Sequence, residues 1–230
     1  MTMPEIICIV TRIRDHLPAQ LRGPLVAARR AVMLRLGAHQ LRLRGPSSSA
    51  IRRLAQGWGN LSYRAGNAYV LAALNYAATA KGPVLECGSG LTTLALGLTA
   101  AVTAPVWSLE HHPEWAERIR RKLDILGAAG PAVLHAPLRT YGDIEWYEVP
   151  SELPDRFDVV ICDGPPGITP GGRWGLWEVL GDRLHAATVI LDDAERPGEA
   201  AIIQRLRAEG WEADMLPDER KTFAILTRSS

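Results

Sequence analysis

Val84-Leu85-Glu86-Cys87-Gly88-Ser89-Gly90-Leu91-Thr92-Thr93-Leu94 is the stretch on which the fold turns. A short β-rich run, VLEC, closes on two glycines and opens into LTTLALGLTAAV, which has helical periodicity. The order is strand, tight turn, helix. Open α/β sheets bind their ligands at such turns, outside the carboxyl ends of the strands. The glycines let backbone pass close to a ligand, and the amides that begin the helix would face it. A dinucleotide fingerprint would want a third small residue near position 93, and Thr93 stands there instead, which argues against a pyrophosphate.

Working outward, the same texture continues to the end of the chain. Short β-rich runs recur as VWSLE at 106–110, AVLHA at 132–136, FDVVICD at 157–163, ATVILDD at 187–193 and TFAILT at 222–227, with helical segments such as PEWAERIRRKLDIL between them. Alternating strands and helices imply βαβ units and a parallel sheet, and continuous apolar strands imply burial on both faces. The expected core is α/β and doubly wound. Upstream the pattern is helical. Leu25, Ala28, Val32 and Leu36 recur at helical spacing in a segment begun near Pro24, which predicts an amphipathic helix resting on the core or on a partner. Gly45-Pro46-Ser47-Ser48-Ser49 breaks it, 51–56 resumes helix, the Gly57-Trp58-Gly59-Asn60 turn that follows is the expected hinge, and 66–80 reads as a buried helix. The expected domains are a basic helical extension over 1–57 and a ligand-binding domain over 58–230.

The chain has 230 residues, 47% hydrophobic and 22% charged, a composition that excludes disordered and collagenous classes. Its net charge of +1 is a cancellation. Residues 1–80 hold eleven arginines, no lysine and two acids, for +9, and the remainder carries −8. The basic segment reads either as a solvated face or as a docking surface for something anionic, for an acidic neighbour or for a second copy of the chain. Cys8, Cys87 and Cys162 are too few for a disulfide framework, and no apolar run reaches the roughly 18 residues of a membrane span. With no signal peptide read at the start, a cytoplasmic location is expected.

Glu110 ends the second β-run, where a carboxylate can accept hydrogen bonds from both vicinal hydroxyls of a ribose. Acids at 86 and 110 fit a ligand with an ammonium or sulfonium group and a ribose but no phosphates, a description S-adenosylmethionine meets. Taken together, VLECGSGLTTL, WSLEH, FDVVICDGPPG and VILDD resemble the class I S-adenosylmethionine-dependent methyltransferases, over about residues 58–227, and within them the bacterial small-molecule O-methyltransferase-like proteins. The resemblance implies a seven-stranded sheet whose last strand is antiparallel and inserted beside the fifth. It implies that Glu86, Gly88 and Gly90 line the methionine and ribose side of the cofactor, that Glu110 holds the ribose hydroxyls, and that His111 lies beside the adenine. It also implies a flap over the cofactor at 58–64, with Asn60 and Tyr63 as contacts.

Asp163 closes the run at 157–163, and Asp192-Asp193 close the run at 187–193. Three carboxylates at one sheet edge suit a hard divalent cation such as Mg²⁺, which would acidify and aim a substrate hydroxyl. This arrangement resembles the metal-dependent catechol-type O-methyltransferases, with Asp163, Asp192 and Asp193 at the metal positions. Two other readings stand beside it. One aspartate, Asp163 or Asp192, serves as a general base without metal, or the Asp pair caps the helix that begins near Glu195. The turn Asp163-Gly164-Pro165-Pro166-Gly167 lacks the aromatic that would stack a flipped base, which lowers a nucleic-acid substrate below a small molecule. Gly171 to Trp177 is a candidate substrate wall, with Arg173 meeting an anionic group and Trp174 or Trp177 an apolar one; Arg196 and Lys221 are further anion contacts by order along the chain. His111, His112, His135 and His185 have no zinc spacing, and the Cys87 and Cys162 thiols read as small core hydrophobes. The competing functions are an RNA methyltransferase that uses the basic segment for phosphates, and a cofactor-binding subunit without activity.

Overall fold

The structure is a computed structural model that describes residues 19–60, 64–219 and 221–228. Two helices, α1 (Ala19–Arg44) and α2 (Ser48–Trp58), precede a third, α3 (Asn67–Thr79). The core then alternates: β1 (Val84–Cys87), α4 (Leu91–Leu98), β2 (Val106–Glu110), α5 (Pro113–Leu126) and β3 (Ala132–His135). A hairpin of β4 (Leu138–Tyr141) and β5 (Ile144–Tyr147) intervenes before β6 (Val159–Cys162), α6 (Gly175–Leu180), β7 (Thr188–Leu191), α7 (Pro197–Ala208), β8 (Trp211–Pro217) and β9 (Thr222–Arg228). Seven strands form one sheet in the order β3-β2-β1-β6-β7-β9-β8. The five strands from β3 to β7 are mutually parallel, and β9 runs antiparallel between β7 and β8. This is the doubly wound, mostly parallel seven-stranded sheet with an N-terminal helical extension that the sequence led us to expect.

Strand alternation divides the core into two layers. Val84, Val106, Val159 and Ile190 point to the face covered by α1 to α5, and Leu85, Leu109, Val160 and Val189 to the face covered by β5, α6 and α7. Every residue of β1 and β6 is buried, as the continuous apolar runs require of central parallel strands. Neighbouring carboxyl ends of β1, β2, β6 and β7 therefore converge at one edge, and the loops that leave them build the site.

The N-terminal hairpin departs from expectation in two ways. Gly45 to Ser47 joins α1 to α2, and residues on both sides, Leu41 and Ile51, share one hydrophobic cluster with Val84 and Leu94. The two helices pack closely enough that a Cβ on Gly37 would come within 2.6 Å of the Leu54 nitrogen. Helix α1 starts at Ala19 with Pro24 inside it, at the loss of one backbone hydrogen bond near its beginning. The second difference is one of direction. Met33, Ala38 and Leu41 face the core, and the stripe at 25, 28, 32 and 36 points away from it, with Val32 53% and Leu36 39% exposed. Two apolar stripes share this helix, and a periodicity argument has no means of choosing between them.

Two elements escaped the sequence reading. The edge strand β8 is mostly exposed and lacks an apolar run, and the β4–β5 hairpin turns through Gly142, in the left-handed region at φ +63°. Among the described residues no helix is long and apolar enough to cross a membrane.

Candidate active site

At the end of β1 the chain turns through Gly88, whose φ of +92° favours glycine; a Cβ there would also sit 3.0 Å from the Gly164 nitrogen. The β1 and β6 turns thus touch backbone to backbone. Glu86 underpins the turn from below. The Thr93 hydroxyl donates to Glu86 Oε2 at 2.6 Å and the Ser108 hydroxyl at 2.5 Å, while the Gly90 amide donates to Thr93 Oγ1 at 2.8 Å. Burial pushes the Glu86 carboxyl up to about 7 despite those donors. Glu110, only 4% exposed, receives Ser89 N–H at 3.2 Å and Ser89 O–H at 2.8 Å on one oxygen and His112 N–H at 2.9 Å on the other, with the His111 ring 3.2 Å from that second oxygen. Burial alone would raise its pKa; these polar neighbours, His111 foremost, outweigh that and hold it below the ordinary glutamate value. Trp115 Nε1 donates to the Ser89 carbonyl at 2.9 Å and packs edge-on against Trp58, pinning the turn to the α2 end.

Glu110, Gly88, Ser89, His111, Trp115, Tyr147 and Asn60 line one cavity of about 480 Å³. Tyr147 packs edge-on beside His111, and its hydroxyl is buried with no hydrogen-bond partner among the described residues. Burial raises its pKa well above the ordinary tyrosine value, so it stays a protonated donor. An ionised carboxylate, an unpaired phenol and an aromatic wall around a glycine turn fit a ribose-bearing cationic ligand such as S-adenosylmethionine.

The opposite wall of the cavity carries Asp163, Asp193, Arg173, Arg196 and Lys221. Ligand oxygens of Asp163, Asp192 and Asp193 all lie within 4.8 Å of one another, so the sequence correctly brings the three acids together. They are already neutralised. Arg173, 2% exposed, places one guanidinium nitrogen 3.2 Å from Asp163 Oδ1, 2.9 Å from the Asp163 carbonyl and 2.9 Å from Asp193 Oδ2; a second nitrogen donates to the Asp192 carbonyl. Lys221 pairs with Asp192 and lies 3.2 Å from Asp193 Oδ1, and Arg196 lies 2.8 Å from Asp193 Oδ2. Asp193 itself adopts φ +54°, an uncommon conformation for a residue other than glycine. A divalent ion would have to evict the guanidinium from this cage. Glu199, buried 3.6 Å from Arg173 Nε, is a fourth acid on these three cations, but each of the three aspartates already has a cation against it, and that arrangement does not fit a resident Mg²⁺.

The same charges set the titration of the cage. Burial, then repulsion from Asp192, pushes Asp163 up to about 8 in spite of Arg173 and Lys221. Asp193 goes the other way: burial would raise it, but Arg173, Lys221 and Arg196 together bring it below the ordinary aspartate value.

All but one of the proposed cofactor, catalytic and metal residues have a place among the described residues. Glu110, His111, Gly88, Asn60, Asp163 and Asp193 face the cavity. Glu86 and Asp192 lie behind its wall, 1% and 0% exposed, and Gly90 caps α4 next to it. Tyr63 lies outside the described residues. Arg173 is the clear departure: expected to meet a substrate anion, it turns inward and meets the protein's own aspartates. Trp174 and Trp177 stack on each other at 6.0 Å with Arg205 over the Trp174 ring, away from the cofactor-type cavity and beside a second hollow of about 860 Å³. Arg196 lines both hollows. Sequence reasoning missed Ser89, Trp115 and Tyr147. Ser89 stands inside the quoted glycine turn, whereas Tyr147 arrives from the unforeseen β5 and had no local signal.

No protein-family model matches the sequence, and no curated protein matches it. Solved structures do. Precorrin-6y C5,15-methyltransferase from Geobacter metallireducens GS-15 aligns with a TM-score of 0.55 at 14% identity, over 74% of this chain and 92% of that one. An O-methyltransferase from Bacillus cereus in complex with SAH aligns at 0.52 and 13% identity, over 83% and 96%. The O-methyltransferase TomG from Streptomyces achromogenes in complex with SAM aligns at 0.51 and 14%, over 80% and 89%. The chain has the class I S-adenosylmethionine-dependent methyltransferase fold. At these identities the likeness is one of fold, and the chemistry rests on the chain's own side chains.

Proposed function

We propose that this protein is an S-adenosylmethionine-dependent methyltransferase that methylates a hydroxyl of a small molecule, without a resident metal. The observation that carries the reading is the joining, in one cavity, of a diol-binding carboxylate, Glu110, and a poised proton acceptor, Asp163, at the carboxyl ends of β2 and β6, the two parallel strands that flank β1. S-adenosylmethionine, when bound, supplies an electrophilic methyl group on a sulfonium sulfur. Glu110 would take the ribose hydroxyls; of its three hydrogen-bond donors only the Ser89 hydroxyl is a free rotor, and it is the one a ligand diol would displace. Tyr147 and His111 wall the site against water, and Tyr147 donates to a ligand acceptor. Asp163 would accept the proton of the substrate hydroxyl as its oxygen attacks, with Arg173 holding the carboxylate in place. Asp192 contributes through Lys221 rather than by touching substrate. The larger hollow beside Arg196, Trp174 and Arg205 suits an aromatic or apolar substrate that bears an acidic group.

A labelled methyl-donor assay over phenolic, sugar and RNA pools, run beside calorimetry with S-adenosylmethionine, tests this reading. Binding together with transfer to a small-molecule hydroxyl is expected. Transfer confined to RNA would overturn the substrate class, and binding without transfer to any pool would make the chain a cofactor-binding subunit. Chelation by EDTA is expected to leave the rate unchanged.

A further inference from the structure

The hairpin of α1 and α2 plays no part in that chemistry, and its outer face is built unlike an ordinary solvated surface. Leu25, Ala28, Val32, Leu36, His39 and Leu43 fall on one line of α1, the side opposite Met33, Ala38 and Leu41. Eighteen steps of 1.5 Å from Leu25 to Leu43 make this ridge about 27 Å long. Val32 is 53% exposed, Leu36 39% and Leu43 70%, a cost with no return unless something covers them. Arg29 flanks the ridge on one side and Arg35 on the other, whereas Arg42 donates to the Leu126 carbonyl. Between α1 and α2 a hollow of about 270 Å³ is lined by Leu36 and Leu43, with Arg44 and Arg53 beside them. Between Asp15 and Glu86 the chain has no acid at all.

We propose that this face docks on an anionic phospholipid bilayer, with α1 lying in the interface, its leucine and valine ridge among the acyl chains and its arginines on lipid phosphates. Charge decides among the occupants. A second copy laid along the same ridge would set arginine against arginine with no carboxylate on either helix, and nucleic acid offers phosphates but no apolar phase for the ridge. A bilayer of anionic lipid supplies both at the same depth. The contact is peripheral and lies on the helical layer, so it is independent of the proposed methyl transfer.

Vesicle co-sedimentation of the full chain tests the proposal, with phosphatidylcholine alone and phosphatidylcholine containing phosphatidylglycerol, at low and high salt. Binding is expected only to the anionic vesicles, weakening as salt rises. Substituting both Leu36→Asp and Leu43→Asp should reduce it at least about tenfold, and Arg29→Ser with Arg35→Ser by about fivefold per arginine. These side chains are exposed, so thermal melting and S-adenosylmethionine binding should stay as in the wild type. Failure to sediment with anionic vesicles overturns the proposal, as does binding that survives the two aspartates. So does a dimer in light scattering that Leu43→Asp dissociates, since a second copy would then own the ridge.

Discussion

The two ends of the 480 Å³ cavity solve the placing of buried acids in opposite ways. At the β1–β2 end Glu110 is held by two backbone amides and the Ser89 hydroxyl, and it stays ionised with a hydroxyl that can give way to a ligand. At the β6–β7 end Asp192 and Asp193 are held by Lys221, Arg173 and Arg196, and none of those cations can leave without stranding charge. The first end is made to exchange partners and the second to keep them. Acid clusters that look alike in a sequence are therefore not alike in function; what matters is whether their partners are neutral and replaceable or charged and fixed.

That contrast can be broken or sharpened by experiment. Asp163→Asn removes the proton acceptor and should lower kcat by roughly 10²- to 10⁴-fold with S-adenosylmethionine affinity kept; near-normal turnover would take Asp163 out of the chemistry. Because its carboxyl is pushed up to about 8, it is mostly protonated below that pH, and the wild-type rate should climb through about pH 8 to a plateau. A rate flat from pH 6 to 9 would assign proton transfer elsewhere.

Arg173→Met leaves three aspartates short of a cation and should cost about 3 to 5 kcal/mol in denaturant melts. The same variant should acquire a Mn²⁺ signal by electron paramagnetic resonance that the wild type lacks. Stoichiometric Mn²⁺ binding by the wild type, lost in Asp163→Asn, would restore the metal reading. Where Arg173→Met folds too poorly, Lys221→Met, partly exposed, puts the same question more gently. Glu110→Ala should weaken S-adenosylmethionine binding by about 30- to 150-fold, the value of a charge-assisted hydrogen-bond pair of roughly 2 to 3 kcal/mol. Unaltered calorimetric affinity would mean that Glu110 serves only to hold Ser89. Least of all, Ser89→Ala should leave affinity within a few-fold of wild type, since its hydroxyl is the donor the ligand replaces.

The legible part of the site was the part made from local chain. Glu86 to Thr93 is strand, turn and helix in eight residues, and its internal hydrogen bonds, Gly90 to Thr93 to Glu86, never leave that segment. Glu110 could be placed because a parallel sheet sets the ends of consecutive strands side by side. Arg173 could not, because its partners lie 10 and 20 positions away on two other loops, and an arginine beside tryptophans reads equally well as a substrate clamp. Tyr147 was out of reach for the same reason: the hairpin that delivers it carries only four residues per strand.

Strand and helix periods, the glycine turn and the acids that end the strands are properties of neighbouring residues, so the sequence by itself determined the doubly wound sheet, its edge of carboxylates and the basic character of the first eighty positions. Direction and pairing were left to the tertiary structure. A helix with apolar residues on two sides buries whichever stripe meets a neighbour, and α1 buries Met33, Ala38 and Leu41 because Gly37 lets α2 approach there. Likewise, three aspartates become a metal site or a closed ionic cage according to whether a cation from a distant loop reaches them first. Such contacts form between segments far apart in the chain, and only the packed molecule brings them together.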